Sequence, residues 1–418
     1  LAPLDGLKLE RFVYLSPKAS TKEQNTFLTI HPRAECITVF YGYSQPYGYG
    51  WRYDDNGKTM FWYYKDVIRE VFEYDKAWLA DGFSISPLEL PLKPGLFIAK
   101  PHPFYGNFGI FEDSLPDGYG RYLLHKTLLK IGIDDRNLSV LDRLSFVGNN
   151  GMGALTYEPH TYIHTIDNNV NFDILQAKAL EVLQEQQDSD AGLLLYNSGN
   201  SGGCRPKAIF FDNEGHWLVK FRHFYDPKDM GKQEYHYNEV ARRCGINVPD
   251  FKLTNGKYFT SRRFDITETG ERIHMATAGG LLCISLSNPI LDYSNLLALT
   301  GYLTQRSSDV EEMYRRMIFN YLTDNKDDHC KNFSYTIQKD NSGKWQWSLA
   351  PAYDLTLCIE GYNGQHATSV NGTDKPTLQD FISVGTKIKM TEKRCREIFQ
   401  QVYDNCSEIR NDTLPQTT

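Results

Sequence analysis

Asp327 and Asn332 stand five positions apart in NKDDHCKNFS (325–334), and a further acid, Asp354, follows 22 positions after Asn332. A carboxylate and an amide carbonyl are hard oxygen donors that suit Mg2+ and leave its other positions for phosphate oxygens and water. Asn332 and Asp354 fit that use, and Asp327 fits a group that accepts or orients the proton of an attacking hydroxyl. Lys220 ends the strand-like segment HWLVK, where an ammonium can neutralise the α and β phosphates of a nucleotide. It needs an acid to aim it, and both Glu234 and Glu239 lie in the next helical segment. Phosphoryl transfer is mostly positioning plus charge stabilisation, so these few groups suffice for it. Taken singly they say little. Asp and Asn are common loop residues, a strand-end lysine is usually a surface lysine, and Asp354 suits a turn or a helix cap. Their order along the chain carries the reading. Asp328 beside Asp327 stays ambiguous from spacing alone, and His329 suits a packed histidine as well as a ligand contact.

The elements that must position these residues can be read from periodicity. A Gly/Ser-rich run, NSGNSGGCRPK (197–207), leads into KAIFFDNEGHWLVKF (207–221), which reads as a strand, a turn at NEG and a second strand ending in Lys220. EYHYNEVARRCGINVPDFKL reads as a helix stopped by Gly245 and then a strand, and KYFTSRRFD (257–265) as another strand. From about residue 275 the pattern is mostly helical: HMATAGGLLCISL, YSNLLALTGYLTQ and DVEEMYRRMIFNYLTDN. A hairpin turning at Asn341-Ser342-Gly343 and a final helix, TEKRCREIFQQVYDNC, complete it. Upstream, residues 1–100 are rich in Tyr, Phe and Trp, with turn signals DDNG (54–57) and LKPG (92–95), and read as short strands. RYLLHKTLLKIG (121–132) reads as a helix with Leu123, Leu124, Leu128 and Leu129 on one face. VLDRLSFVG (140–148) reads as a helix ending in glycine, and 172–188 as a helix at a domain junction. The D-x-x-x-x-N spacing of 327–332, after a helix and before a hairpin with its acid, is that of a protein-kinase catalytic loop.

Composition narrows the classes. The chain has 418 residues, 41% hydrophobic and 23% charged, which suits folded domains rather than disorder. No apolar run is long enough for a transmembrane helix, so no membrane association is expected. The net charge of −7 argues against a DNA-coating protein. The first residue is Leu rather than Met, and LAPLDGLKLERF lacks a basic stretch followed by an apolar one, so no signal peptide is expected. Eight cysteines are scattered without a Cys-x-x-Cys pair, which argues against a zinc ribbon or redox motif and suits reduced thiols in the cytoplasm. His160 and His164 have no further metal-ligand companions and read as ordinary strand or loop residues. There is no G-x-x-x-x-G-K-[ST].

Five ordered segments resemble the HipA family, bacterial serine/threonine protein kinases that act as toxins in toxin–antitoxin pairs. FEDSLPDGYGR (111–121) and LDRLSFVGNNGMGAL (141–155) resemble its N-terminal signatures. SGGCRPKA (201–208), NKDDHCKNFS and LAPAYDL (349–355) resemble its loop, catalytic and metal-binding segments. The resemblance implies Asp327 as the catalytic Asp, with Asp328 where the family usually has another residue. It implies Asn332 and Asp354 as metal ligands. It also implies an ATP site of Lys220, Glu234 (preferred to Glu239), His329, Lys331, Ser201, Gly202, Gly203 and Lys207. The hinge resembles SRRFD, with Arg262 and Phe264 offering backbone groups, although the family often has Glu where this chain has Arg262. Inhibitory autophosphorylation of a Gly-rich-loop serine is implied, with Ser201 the first candidate and Ser198 the second. Cys204 replaces the family's common Ala.

The expected fold is α+β: a protein-kinase-like bilobal core with a mainly helical C-terminal lobe and an N-terminal αβ subdomain. The expected division is 1–160, 161–270 and 271–418. The expected cofactors are ATP and Mg2+. The expected partners are a HipB-like helix-turn-helix antitoxin, with DNA touched only through it, and a protein substrate. By family analogy that substrate is an aminoacyl-tRNA synthetase, the glutamyl enzyme among them. A non-catalytic co-repressor and a small-molecule kinase are the alternatives.

Overall fold

The computed structural model describes residues 70–135, 138–158, 171–185, 191–198, 202–288 and 290–410, with four short strands further upstream. The DDNG turn, His160, His164 and Ser201 lie outside the described residues. Two of the upstream strands, Phe27–Ile30 and Ile37–Phe40, join Val71–Tyr74, Phe97–Ile98 and Tyr157–Glu158 in an antiparallel five-stranded sheet. Between its last two strands in sequence the chain makes three helices, Gly109–Glu112, Gly118–Lys130 and Val140–Val147. The last starts from a capping box, Ser139 with Asp142, which satisfies two backbone donors, and ends at Gly148 as the glycine signal implied. In Gly118–Lys130 the residues Leu123, Leu124 and Leu128 are buried, but Leu129 is half exposed. It lies ~100° around the axis from Leu128 and falls off the apolar stripe.

A second antiparallel sheet has the order Phe251–Thr254, Tyr258–Arg262, Gly215–Lys220, Lys207–Asp212. The hairpin register pairs Asp212 with Gly215 and Lys207 with Lys220, so the two lysines leave the same end of neighbouring strands. Helix Met230–Arg243 packs on this sheet and buries Glu234, Tyr237, Asn238 and Ala241, one face at helical spacing. On the other side, helices Phe172–Leu183 and Ala191–Ser198 and Tyr119 of the N-terminal part share a small core with Ala208 and Val219.

The C-terminal lobe is built on helices Tyr293–Thr304, Ser307–Leu322, Leu378–Lys387 and Glu392–Asn405. Nearly every residue of Ser307–Leu322 beyond Met313 is buried, so this helix is the lobe's axis and fixes where the following loop starts. The hairpin Ser334–Lys339 and Trp345–Leu349 turns where expected, with Gly343 at φ +81°.

Some boundaries differ from the sequence reading. His274–Thr277 is not the start of a helix but a strand, paired with Ser334–Ile337 of the hairpin; a non-local partner decided its conformation. The helix after it covers only Ala278–Leu282. The helix expected over 172–188 stops at Leu183, and Met230 rather than Glu234 opens the helix ending at Arg243. Helices Ala191–Ser198 and Leu378–Lys387 were not read from sequence. The second carries a legible signal, the capping box of Thr377 with Asp380. The seven cysteines among the described residues are free thiols. No helix among the described residues is long and apolar enough to cross a membrane.

Candidate nucleotide and phosphotransfer site

One cleft lies between the second sheet and the helical lobe. Its lining includes Gly202, Gly203, Lys207, Lys220, Arg262, Phe264, His329, Lys331, Asn332 and Asp354. An adjoining cleft is lined by Asp327 and by Cys204 and Arg205 of the Gly-rich segment, and it shares Lys207, Lys220, His329 and Asp354 with the first. Most of the groups singled out in the sequence thus line two adjoining hollows, while Glu234 lines neither and meets them through Lys220.

Lys220 is the hub. Its ammonium bonds both Glu234 Oε1 and Asp354 Oδ1. Glu239 faces His236 at 3.9 Å instead, so of the two acids only Glu234 meets the lysine. Burial opposes the charge on Asp354, but Lys220 first and then Lys207 outweigh it and hold the carboxyl well below the usual range. Glu234 goes the other way: its burial and the charge of Asp354 raise it against the pull of Lys220. Burial also works against Lys220, and the two carboxylates overcome it and raise its pKa. Lys207 is lowered by burial and by Lys220, and its ammonium donates to the Gly202 carbonyl.

Asp354 sits at φ +55°, in the left-handed region that a non-glycine residue occupies only when its surroundings insist. Asn325 Nδ2 reaches its carbonyl at 3.3 Å. Asn332 Nδ2 donates to the Asp327 carbonyl at 2.6 Å, which fixes the amide and turns Oδ1 the other way. The ionised Asp354 and this oriented amide oxygen form a donor set that fits Mg2+. Among the described residues no group of three His, Cys, Asp or Glu side chains could hold a metal. A cation here would complete its shell with water or substrate oxygens.

Asp327 is 52% exposed at the rim, with His329 Nε2 at 3.8 Å from its Oδ1. The enclosing walls and the charge of Asp354 raise its pKa, against His329. His329 Nδ1 is buried without a partner.

At the expected hinge, Arg262 can offer only its carbonyl. The Arg262 N–H donates to the Asp250 carbonyl at 2.7 Å, which takes it out of play for a ligand. Phe264 stacks on Tyr353, 5.8 Å between centroids, and the Tyr353 hydroxyl donates to the Lys331 carbonyl at 2.6 Å. Ser198 is buried at the end of its helix, and its hydroxyl donates to the Leu195 carbonyl at 3.1 Å.

Two site residues were missed from the sequence. Asp117 precedes the helix Gly118–Lys130 but makes no side-chain cap bond to it. Its carboxylate instead accepts the Gly203 N–H at 2.6 Å and the Lys331 ammonium at 3.1 Å. Burial opposes its charge, but Lys331 and the Gly203 N–H outweigh it and lower its pKa. Asp113 accepts the Thr277 N–H and hydroxyl, both at 2.8 Å, and burial pushes its carboxyl up to about 6 against Lys331. Both acids line the first cleft. Both lie in FEDSLPDGYGR, which the resemblance picked out as a segment without giving either acid a role.

Residues 199–409, half of the chain, match the model of the HipA-like C-terminal domain, and residues 52–158 match that of the HipA N-terminal domain. A Sinorhizobium fredii protein (strain NBRC 101917 / NGR234) named "Putative kinase Y4dM" is 24% identical over 337 residues, 72% of this chain and 75% of that protein. The fold resembles that in the Shewanella oneidensis MR-1 toxin–antitoxin complex of HipA, HipB and operator DNA. The TM-score is 0.63 at 16% identity, covering 94% of this chain and 92% of that one.

Proposed function

Because this chain belongs to the HipA family, we propose that it is an ATP- and Mg2+-dependent serine/threonine protein kinase that acts as the toxin of a toxin–antitoxin pair. The observation that carries the reading is the convergence on two connected clefts of Lys220 with its two carboxylates, Asn332 and Asp327. Lys220 binds the α and β phosphates, and Glu234 aims it. Asn332 and Asp354 would hold the metal, whose chemistry there would be to neutralise charge on the phosphates. Asp354, which accepts from Lys220, would supply its carboxylate to that metal. Asp327 orients the acceptor hydroxyl and takes its proton. His329 and Lys331 contact the nucleotide, as do Gly202, Gly203, Ser201 and Lys207. Phe264 and the Arg262 carbonyl face the base.

Ser201 is the site of inhibitory autophosphorylation. Ser198, the second candidate, is disfavoured because its hydroxyl is buried within a helix end. Phosphate on Ser201 would repel the phosphates of bound ATP and favour a displaced loop. The partner is a HipB-like helix-turn-helix antitoxin, through which the chain meets DNA, and the substrate is a protein such as an aminoacyl-tRNA synthetase. The resemblance to the HipA–HipB–operator complex supports the partner. Transfer of labelled phosphate from ATP/Mg2+ to serine or threonine of the chain itself, or of a protein in a bacterial lysate, tests the activity. Asp327→Asn should lower it by about a hundredfold or more and spare folding. Equal labelling by both proteins would sink the assignment.

A further inference from the structure

Asp328 is the one acid of the loop that the proposed reaction leaves unused. Its side chain is 0% exposed, directly beside the half-exposed Asp327. A carboxylate buried so completely costs several kcal/mol unless donors surround it. Three do. Tyr293 Oη donates at 2.9 Å, His366 Nδ1 lies at 3.1 Å and the Thr368 N–H donates at 3.2 Å. The imidazole of His366 is 5% exposed and stacks on Tyr321, 3.7 Å between centroids and 11° between planes, so its orientation is set by packing as well.

From this pair a line of side-chain hydrogen bonds crosses beneath the site. Asn320 Nδ2 donates to Tyr293 Oη at 2.9 Å, Asn325 Nδ2 donates to Asn320 Oδ1 at 3.0 Å, and Asn325 Nδ2 also reaches the Asp354 carbonyl at 3.3 Å. One end therefore holds the residue next to Asp327, and the other holds the strained backbone of Asp354. Asp327 and Asp328 are consecutive, and their side chains leave the loop toward opposite environments.

We propose that Asp328 and His366 are positioning residues for phosphoryl transfer: the buried carboxylate–imidazole pair sets the orientation of Asp327 and, through Tyr293, Asn320 and Asn325, the backbone that carries Asp354. The inference rests on the kinase reading above. It predicts a loss in the chemical step with nucleotide affinity kept, since neither side chain lines the nucleotide cleft.

His366→Phe keeps a ring for stacking and removes the N–H, whereas His366→Asn keeps a donor near the position of Nδ1. The expected result is kcat lowered by about tenfold or more in His366→Phe, KM for ATP within about twofold, and His366→Asn within about threefold of the parent protein. Equal kcat in the two variants, or a KM that rises in step with the loss of kcat, would overturn the proposal. If His366→Phe does not fold, the isosteric Asp328→Asn carries the same expectation. Hydrogen exchange across 324–332 gives a readout independent of activity: faster in His366→Phe, unchanged in His366→Asn. An inactive parent protein would refute the kinase reading alone, and exchange that is identical in all three proteins would refute the positioning role alone.

Discussion

Asp113 and Asp354 are both partly buried carboxylates, and their surroundings push them in opposite directions. Asp354 has Lys220 in contact and stays ionised. Asp113 has two donors from Thr277 but no cation in contact, and burial wins, raising it to about 6. The consequence for stability follows from linkage. Between the unfolded value of ~4 and about 6, the folded state holds more protons than the unfolded chain, so Asp113 makes the protein less stable as pH rises through that window. Asp113→Asn removes the titration and leaves an acceptor for Thr277. Relative to the parent protein it should gain up to about 2 kcal/mol between pH 4 and pH 7, seen as a rising Tm difference; a difference independent of pH would count against the assignment. At this scale the sequence left Glu234 and Glu239 both open and only the family resemblance preferred Glu234, whereas Asp113 and Asp117 were not singled out at all. Their partners, Thr277 and Gly203, lie 164 and 86 residues away.

The Gly-rich segment is held from below by the start of a helix. The Tyr119 N–H donates to the Gly203 carbonyl at 3.1 Å, and the Gly203 N–H donates to Asp117 at 2.6 Å. The approach is so close that a Cβ on Gly118, itself at φ +41°, would lie 2.6 Å from the Gly203 oxygen. Asp117→Ala should release the segment, because it removes both the acceptor of a loop N–H and the anion facing Lys331. Hydrogen exchange over 202–206 should speed up by about tenfold, and KM for ATP should rise about tenfold, with little change in exchange of the helix Gly118–Lys130. Unchanged exchange in the loop would remove Asp117 from this role. Periodicity found most of the elements concerned, because amphipathic helices and hairpins advertise themselves locally. It failed at His274–Thr277, where β pairing with residues ~60 positions away outweighed a helix-like composition.

Across the whole molecule, the N-terminal part is tied to the hinge side of the cleft by buried charge. Asp265, fully buried, accepts from Arg263 Nε (3.0 Å) and Nη2 (2.6 Å) and from the Gly153 N–H (2.7 Å). Arg272 adds donors to the carbonyls of Asn149, Gly151 and Gly153. Asp265→Ala strands the Arg263 guanidinium, whose side chain is only 7% exposed, and should cost about 3–5 kcal/mol in urea unfolding. A loss below about 1 kcal/mol would mean that the Asp265–Arg263 pair does not hold the two parts together. The order of segments along the chain was enough to determine the fold class, the lysine strand, the acid-bearing helix, the loop with its D-x-x-x-x-N spacing and the acid after the hairpin. Those features depend on chemistry within a few residues or on fixed offsets. Only the folded molecule decided that Asp117 reaches the Gly-rich segment, that Asp328 turns inward to His366 while Asp327 turns outward, and that Lys220 holds two acids at once. Each depends on side chains brought together across long stretches of chain, and burial then sets which charges survive there.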